Sequence, residues 1–374
     1  MSTVAAPTVT VRDAVPGDNE ALIRLAAACP MQGDVGLCVD RGPDFFALNR
    51  LEGEEWRLGI AENADGMVVG CVAASRRRAY LHGRPTETMY VGDLKVEPAH
   101  RGGPAADALT EWVREMCRTM GGEDVPTLLT VLAGNRAMER RVGGPRGLPH
   151  LARFATVRSH AIPLLWSRRL PRAELRVTRA GADDLEEIAA LWSRVAPVRQ
   201  FAPVWDAESL AQWIAAAPGL DLSSYLLARR ADGRLAGFLA LWDQSILKQL
   251  RVTEYSSRLA VVRAGFNRLA PWFGATQLPP PGSPLRYLTA VHLCVPPEDP
   301  GVLRSLLLYA YSELRGRGLS FLTVGLDVRD LLCGALSGML AQPTDVHAYA
   351  TTPAGRYTGL ALDMLPLHYE IALV

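Results

Sequence analysis

Residues 99–107, AHRGGPAAD, combine the residue types with which a backbone turn binds an anion. An apolar strand pattern, YVGDLKVEP, leads into them, and a helical pattern, ALTEWVREM, follows them. The first turn of a helix offers N–H groups that lack partners within the helix, and small residues let a phosphate come close to the backbone. Arg101 adds a charged donor. The pattern predicts a phosphate-binding turn, and the alternative interpretation is an ordinary Gly-Pro start of a helix.

Pro104 is the unusual residue of this turn. It removes one N–H donor, and losing a hydrogen bond to a charged group costs about 1.5–3 kcal/mol. Proline is nevertheless well tolerated in the first turn of a helix, because its fixed φ angle suits that position. We expect the remaining donors of the turn to keep the anion site.

The elements around the turn occur twice in the chain. VRDAVPGDNEALIRLAAA, from Val11, matches VTRAGADDLEEIAALWSR, from Val177, since each is a short strand pattern, a turn with Asp and a helical pattern. IAENADGMVVGCVAAS, from Ile60, matches LARRADGRLAGFLALW, from Leu227, and in both an Asp-Gly pair between apolar runs predicts a β-hairpin. The sequence therefore predicts an internal repeat.

A third matched pair of segments starts at Asp93 and His292. The segments are DLKVEP and HLCVPP, and each precedes a helical pattern and then an apolar strand, TLLTVL or SFLTVGL. Strands that alternate with helices favour a mixed α/β fold class. The repeat predicts two domains, residues 1–168 and 174–374, and the second carries an insert at about 245–284 with helical spacing in its middle.

With these elements placed, the chain resembles the GNAT superfamily of acyltransferases, present twice in tandem. In that superfamily a strand runs into a turn of the form Arg/Gln-x-x-Gly-x-Gly/Ala, whose N–H groups bind the pyrophosphate of acyl-CoA. RGGPAA, from Arg101 to Ala106, matches this form except that Pro104 replaces the first required glycine. The resemblance implies an α/β (α+β) fold of two GNAT-like domains, each with a mixed, mostly antiparallel sheet flanked by helices.

The second half departs further from the family's turn. At the matching place it reads PPEDPGVLRS, which lacks the arginine and carries Glu298 and Asp299, whose charges would repel a pyrophosphate. We expect this degenerate half not to bind CoA in that way. It would instead build the fold, shape a substrate pocket or form an interface.

The resemblance also implies roles for individual residues. Contacts to the cofactor are expected from the motif strand, the turn and the start of a later helix: Leu94, Lys95, Val96, Arg101, Gly102, Gly103, Ala105, Ala106 and Asn135. Catalysis would need a base for the amine and an acid for the departing thiolate. The family's acidic tyrosine is absent, because Val142 occupies its position.

Asp93 and Tyr90 are the catalytic candidates that remain. Asp93 would orient or deprotonate the amine, and the alternative is that it pairs with an arginine or caps a backbone group. Tyr90 would be a substitute acid, and the alternative is a half-buried strand aromatic. Glu62 and His292 are candidate substrate-binding residues, although a histidine on an apolar strand is more often a core residue.

These residues favour an enzyme that carries an acyl group, most simply acetyl from acetyl-CoA, to a primary amine of a small molecule or peptide. The resemblance implies direct attack in a ternary complex. One alternative is a non-catalytic protein of the same fold that binds acyl-CoA or scaffolds partners. Another alternative is acyl transfer to a hydroxyl or thiol, or cleavage of the thioester.

Composition excludes several other classes of function. The 374 residues carry 40 basic and 39 acidic side chains, and this balance argues against nucleic acid as a partner. None of the six cysteines forms a C-x-x-C pair or lies at zinc-ligand spacing, so no metal is expected. The chain starts without a signal-peptide pattern, and no apolar run reaches the roughly 18 residues of a membrane helix. We expect a cytoplasmic protein that does not bind membranes, as a monomer or a homodimer.

Overall fold

The elements predicted for the first half occur in their predicted order, and the structure adds two further strands and a short helix. The computed structural model describes residues 9–31, 35–143, 151–168, 175–355 and 362–373. The elements of the first half are β1 (Thr10–Asp13), α1 (Asn19–Ala27), β2 (Val35–Asp40), α2 (Asn49–Glu52), β3 (Glu55–Glu62), β4 (Val68–Leu81), β5 (Arg84–Val96), α3 (Ala105–Gly121), β6 (Thr127–Leu132), α4 (Arg136–Gly143) and β7 (Ala152–Pro163). Residues 169–174, at the predicted boundary between the halves, lie outside the described residues.

The second half repeats this order of elements. They are β8 (Leu175–Arg179), α5 (Leu185–Val195), β9 (Ala202–Pro203), α6 (Ala207–Ala216), β10 (Tyr225–Arg230), β11 (Leu235–Trp242), β12 (Gln249–Tyr255), α7 (Ser257–Leu269), β13 (Tyr287–Cys294), α8 (Pro300–Leu314), β14 (Phe321–Asp327) and β15 (Gln342–Thr351). A 3-10 helix, Leu331–Leu336, takes the place that α4 has in the first half. The predicted insert contains β12 and α7, so its helical spacing is confirmed.

Strands from both halves form one continuous sheet. Within the described residues its order is β1-β3-β4-β5-β6-β15-β7-β14-β13-β11-β10-β8, and β9 pairs with β4. Neighbouring strands are antiparallel except for β5 with β6 and β13 with β14. The predicted fold class, a mixed and mostly antiparallel sheet flanked by helices, is confirmed.

The two halves exchange strands where they meet. β7, from the first half, pairs with β14, and β15, from the second half, lies between β6 and β7. Each half therefore completes its sheet with a strand of the other. In addition, β12 of the insert pairs with β2 in a separate two-stranded sheet, so the insert also contacts the first half. The sequence predicts neither pairing, because both join segments far apart in the chain.

Helices cover both faces of the sheet. The apolar residues of α3 recur every four positions, at Leu109, Val113 and Cys117, and all three are buried against the first half. The long helix α8 packs on the second half in the same way. Residues of α1 and α5 pack against the opposite face. Among the described residues, none of the helices combines the length and the apolar character that crossing a bilayer requires.

The C-terminal segment, residues 362–373, occupies the space between β13 and β14. These two strands pair only over their first three residues. Beyond that point the backbone N–H of Leu367 donates to the carboxylate of Asp327 (2.7 Å), and Ile371 packs against Gly325. The protein's own chain thus fills the gap between the two parallel strands of the second half. This packing supports the expectation that the second half does not bind CoA.

Replacing Gly325 by alanine should destabilise the protein by about 1–3 kcal/mol. A Cβ at this position would lie 2.4 Å from Cγ2 of Ile371, so the C-terminal segment has to shift. Chemical denaturation of the variant and the wild type measures the change. Gly301→Ala is the control, because nothing lies within 4 Å of the added atom and α8 should be kept or slightly stabilised. Equal stability of the two variants would contradict the tight packing of this segment.

Candidate active site

The parallel strands β5 and β6 separate near the middle of the sheet. Their last pair is Val91–Leu129, and the described residues that follow are not paired with each other. Asp93 explains the separation, because its φ of 54° produces a β-bulge in the pairing with β4. Its internal counterpart, His292 in β13, has the same conformation, with a φ of 51°. A cavity of about 210 Å³ reaches Val91 and Leu129 from the side of the paired strands, where Val113, Cys117 and Thr127 also line it.

A short 3-10 helix, Pro98–His100, connects β5 to the predicted phosphate-binding turn. Gly102 has a φ of 82°, which glycine adopts without strain, and α3 begins at Ala105. Pro104 already has helical dihedral angles (φ −74°, ψ −14°), so the proline is compatible with the start of the helix. Among the described residues, no backbone acceptor pairs with the N–H groups of Gly102, Ala105 and Ala106. These donors at a helix N-terminus have the geometry of an anion-binding site.

Arg101 and Gly103 complete this turn at the surface. Both residues are exposed. The Nε of Arg101 donates to the carbonyl of Val96 (3.2 Å), which holds the guanidinium beside the end of β5. Leu94 and Val96 follow the last pair with β6, so this edge of β5 has no strand partner among the described residues.

Asp93 lies at the centre of a buried polar cluster, which consists of Arg41, Asn49, Glu52, Asp93, Lys95 and Lys248. The carboxylate of Asp93 accepts hydrogen bonds from Arg41 (3.1 Å), Asn49 (3.2 Å) and Lys95 (2.5 Å). Burial would raise its pKa, but the charges of Lys95 and Arg41 outweigh burial and hold the pKa far below its usual range. Asp93 is therefore ionised at neutral pH and a weak base. The arrangement suits orienting an amine. It also contains an ion pair between Asp93 and Arg41, which is the alternative role that the sequence leaves open for Asp93.

Glu52 and Lys248 are members of the polar cluster that the sequence analysis misses. Glu52, on α2, is 4% exposed, and no described residue hydrogen-bonds its Oε2. Burial, together with the charge of Asp93, raises the pKa of Glu52 to about 8. Lys248 precedes β12 and is 5% exposed, and burial together with Arg41 lowers its pKa to about 7. Two groups that titrate near neutral pH therefore lie close to the ionised Asp93.

One sequence signal could have identified Lys248. Of the 40 lysine and arginine residues in the chain, only Lys95 and Lys248 are lysines, and both belong to the polar cluster. The side chain of Lys95 binds the aspartate of the cluster rather than the predicted cofactor turn. Glu52 has no such signal, because Glu54 and Glu55 stand beside it and only packing distinguishes the buried carboxylate.

Three hydroxyl groups meet beside the point where β5 and β6 part. The hydroxyl of Tyr369 lies 2.7 Å from Oγ1 of Thr130 and 3.3 Å from the hydroxyl of Tyr90. Burial raises the pKa of both tyrosines, that of Tyr369 to about 12, so both are protonated at neutral pH. Tyr369 belongs to the C-terminal segment. It brings a hydroxyl to the first half, where Val142 is buried at the position at which the resemblance implies a tyrosine.

The structure places Glu62 and His292 outside the polar cluster. Glu62 ends β3 and forms an ion pair with Arg12 of the edge strand β1 (2.7 Å). His292 is fully buried in the second half, where its Nδ1 hydrogen-bonds the hydroxyl of Tyr225 (2.5 Å). Burial lowers the pKa of His292 to about 4, so its ring is neutral at pH 7. These contacts give both predicted substrate-binding residues a structural role.

Asn135 caps α4 beside the predicted phosphate-binding turn. Its Oδ1 accepts a hydrogen bond from the N–H of Met138 (3.2 Å), as an N-cap residue does. Further along α4, Arg141 donates to the carbonyl of Ala106 (3.0 Å) and to the carboxylate of Asp107 (2.6 Å). Asn135 therefore positions α4, and Arg141, which the sequence analysis misses, fixes that helix to the turn.

Comparison with known proteins identifies the fold. No protein-family model matches the sequence, and no curated protein sequence matches it significantly. The chain is similar to a GCN5-related N-acetyltransferase from Sphaerobacter thermophilus, with a TM-score of 0.58 and 17% identity over 92% of this chain and 96% of that one. It is similar to an N-myristoyltransferase from Saccharomyces cerevisiae with bound myristoyl-CoA, with a TM-score of 0.61 and 12% identity over 94% and 83% of the two chains. A GCN5-related N-acetyltransferase from Kribbella flavida has a TM-score of 0.50 and 13% identity, over 94% and 72%.

At sequence identities this low, the structural similarity establishes a shared fold. The chain has the GNAT fold that it shares with these N-acetyltransferases and with the N-myristoyltransferase. The resemblance that the sequence predicts is therefore confirmed at the level of the fold.

Proposed function

We propose that the protein is an acyl-CoA-dependent N-acyltransferase whose first half binds acyl-CoA and whose acceptor is a primary amine. Acetyl-CoA is the simplest donor. The structures of the same fold named above are N-acetyltransferases and an N-myristoyltransferase with bound myristoyl-CoA, and this supports acyl transfer to nitrogen as the class of reaction.

One arrangement carries this proposal, namely the gap between β5 and β6 next to the glycine-rich turn. β5 ends at Val96 and the turn starts at Arg101, so the two features adjoin along one strand. The pyrophosphate of acyl-CoA would bind the N–H groups of the turn. The pantetheine arm would lie along the unpaired edge of Leu94–Val96, as an added strand does. The thioester would then lie close to Asp93.

The polar cluster supplies the groups that such a reaction needs. The amine nitrogen attacks the thioester carbonyl, the C–N bond forms, and the C–S bond breaks. The ionised Asp93 orients the amine, and the unprotonated fraction of Glu52 accepts the proton that the amine loses, since its pKa of about 8 is near the operating pH. The hydroxyl of Tyr369 donates a hydrogen bond to the departing thiolate.

Incubation of the protein with acetyl-CoA and a panel of primary amines tests the proposed function. Release of the CoA thiol and the mass of the product are measured together. Acetylated amine formed in equal amount to free CoA supports the proposal. Acetate as the only product would instead identify a thioesterase, and binding of acetyl-CoA without any product would identify a binding protein. Failure to bind acetyl-CoA at millimolar concentration overturns the proposal.

Replacing Tyr369 by phenylalanine should lower kcat about 10- to 100-fold, because one hydrogen bond to a developing negative charge is lost. The affinity for acetyl-CoA should stay within about twofold, since this hydroxyl lies away from the anion-binding turn. Steady-state kinetics and calorimetry give the two values. Tyr349→Phe in β15 is the control and should keep the wild-type kcat. Equal kcat for both variants and the wild type would remove Tyr369 from the mechanism.

A further inference from the structure

Arg77 is a cation that forms no ion pair with any of the described residues. It lies on β4 in a partly buried position, and its guanidinium carbon is 5.8 Å from the centre of the Tyr90 ring. Its side chain forms no hydrogen bond and no ion pair with any described residue, and its Nε is inaccessible to solvent. Two other buried arginines, Arg41 and Arg199, each bind an aspartate. The charge of Arg77 is therefore left for another partner.

Glu52 and Glu370 act on Arg77 through their charges, but neither forms a hydrogen bond or an ion pair with it. Glu52 is mostly uncharged at pH 7, because burial raises its pKa to about 8. Glu370 is already engaged, since its Oε1 interacts with Nε2 of His368 (3.1 Å) and accepts a hydrogen bond from the backbone N–H of His292 (2.9 Å). A partly buried charge without a partner is costly. A guanidinium in this place favours a ligand with a negative charge.

Arg77 lies on the same face of the sheet as the three hydroxyl groups beside the point where β5 and β6 part. Ser75 pairs with Tyr90 across β4 and β5, and side chains two positions apart on a strand share a face. The ring of Tyr90 extends along β5 to Gly92, where a Cβ would lie 3.3 Å from the tyrosine hydroxyl. One tyrosine ring therefore separates Arg77 from the bulge. Ser75 is fully buried, and no described residue hydrogen-bonds its Oγ.

We propose that the acceptor is an amine that also carries a carboxylate, and that Arg77 binds this carboxylate while the amine reaches the bulge of β5. This inference rests on the proposed acyltransferase function and names its class of acceptor. The planar guanidinium donates two parallel hydrogen bonds to a carboxylate, which fixes the orientation of the bound molecule. Amino acids and short peptides carry both groups.

Matched pairs of acceptors test the inference. ω-Amino acids of increasing length, from glycine to 6-aminohexanoate, are each compared with the amine that lacks the carboxylate, such as pentylamine for 6-aminohexanoate. At least one amino acid should have a kcat/KM about 10-fold or more above that of its partner. Arg77→Gln should remove this advantage, mainly by raising KM, so that the two acceptors give similar values. Arg78→Gln is the matched control, because its side chain is 54% exposed, and it should keep the preference.

The outcomes separate this inference from the proposed function. Equal kcat/KM within every pair, with acetyl transfer intact, overturns the inference and leaves the acyltransferase function standing. A preference for carboxylates that survives in Arg77→Gln overturns the role of Arg77. Arg77→Lys keeps the charge without the planar fork and should show an intermediate preference, which guards against misfolding of the glutamine variant. Failure to bind acetyl-CoA, measured by calorimetry, overturns the proposed function and the inference with it.

Discussion

A double variant that combines Arg101→Ala with Gly103→Glu should lose acetyl-CoA binding, with the dissociation constant raised about 100-fold or more. Removing a charged hydrogen-bond donor costs about 1.5–3 kcal/mol, which corresponds to about 10- to 100-fold in affinity. The new carboxylate adds a negative charge at the helix N-terminus where the pyrophosphate would bind. Both positions are exposed, so the free energy of unfolding should change by no more than about 1 kcal/mol, although a Cβ at position 103 would lie 3.3 Å from the carbonyl oxygen of His100.

Isothermal titration calorimetry measures this loss, and Gly301→Glu is the matched control. Gly301 lies in the first turn of α8, the counterpart of α3 in the second half. Asp299 beside it is paired with Arg230 (2.7 Å), and the C-terminal segment fills the neighbouring gap. The control should therefore bind acetyl-CoA like the wild type. Loss of binding in the control alone would assign the cofactor to the other half.

Replacing Glu52 by glutamine should lower kcat/KM at pH 8 about 100-fold or more, since general base catalysis contributes effects of this size. In the wild type kcat/KM should rise as the pH rises through about 8, because Glu52 must lose its proton before it can accept one. Glutamine cannot take up that role, so the rise should be absent from the pH profile of the variant.

Glu54→Gln is the control for this variant, because Glu54 is exposed two positions away in the chain. It should keep both the wild-type activity and the wild-type pH profile. A Glu52→Gln variant with an unchanged profile would show that another group accepts the proton. Lys248 would then be the next candidate, since its pKa is lowered to about 7.

The raised pKa of Glu52 also determines how this residue affects the stability of the protein. Burial raises it from 4.5 to about 8, so the folded protein binds this proton more tightly than the unfolded chain does. The stabilisation that comes from this tighter proton binding is fully present below about pH 4.5. It is lost as the pH rises through 8, by up to about 1.4 kcal/mol per pH unit. The free energy of unfolding of Glu52→Gln should therefore fall less between about pH 5 and 7 than that of Glu54→Gln.

Tertiary structure decided the composition of the candidate active site. Glu52, Lys248 and Asp93 come from α2, the insert and β5, and no local pattern places them together. The hydroxyl of Tyr369 reaches Thr130 across 239 positions of sequence because the halves share one sheet and the C-terminal segment packs at their junction. The pKa of Glu52 also depends on burial, and burial is a property of the folded chain.

The sequence by itself determined the order of the matched elements, the hairpins and the glycine-rich turn before α3, because each depends on residues that are close together in the chain. Gly66 and Gly233 have φ angles of 76° and 85°, and Pro104 directly precedes α3 with helical dihedral angles, as their residue types favour. The strand exchange and the polar cluster depend instead on contacts between distant segments. Such contacts form only when the whole sheet packs, so only the tertiary structure decided which groups face the proposed acceptor.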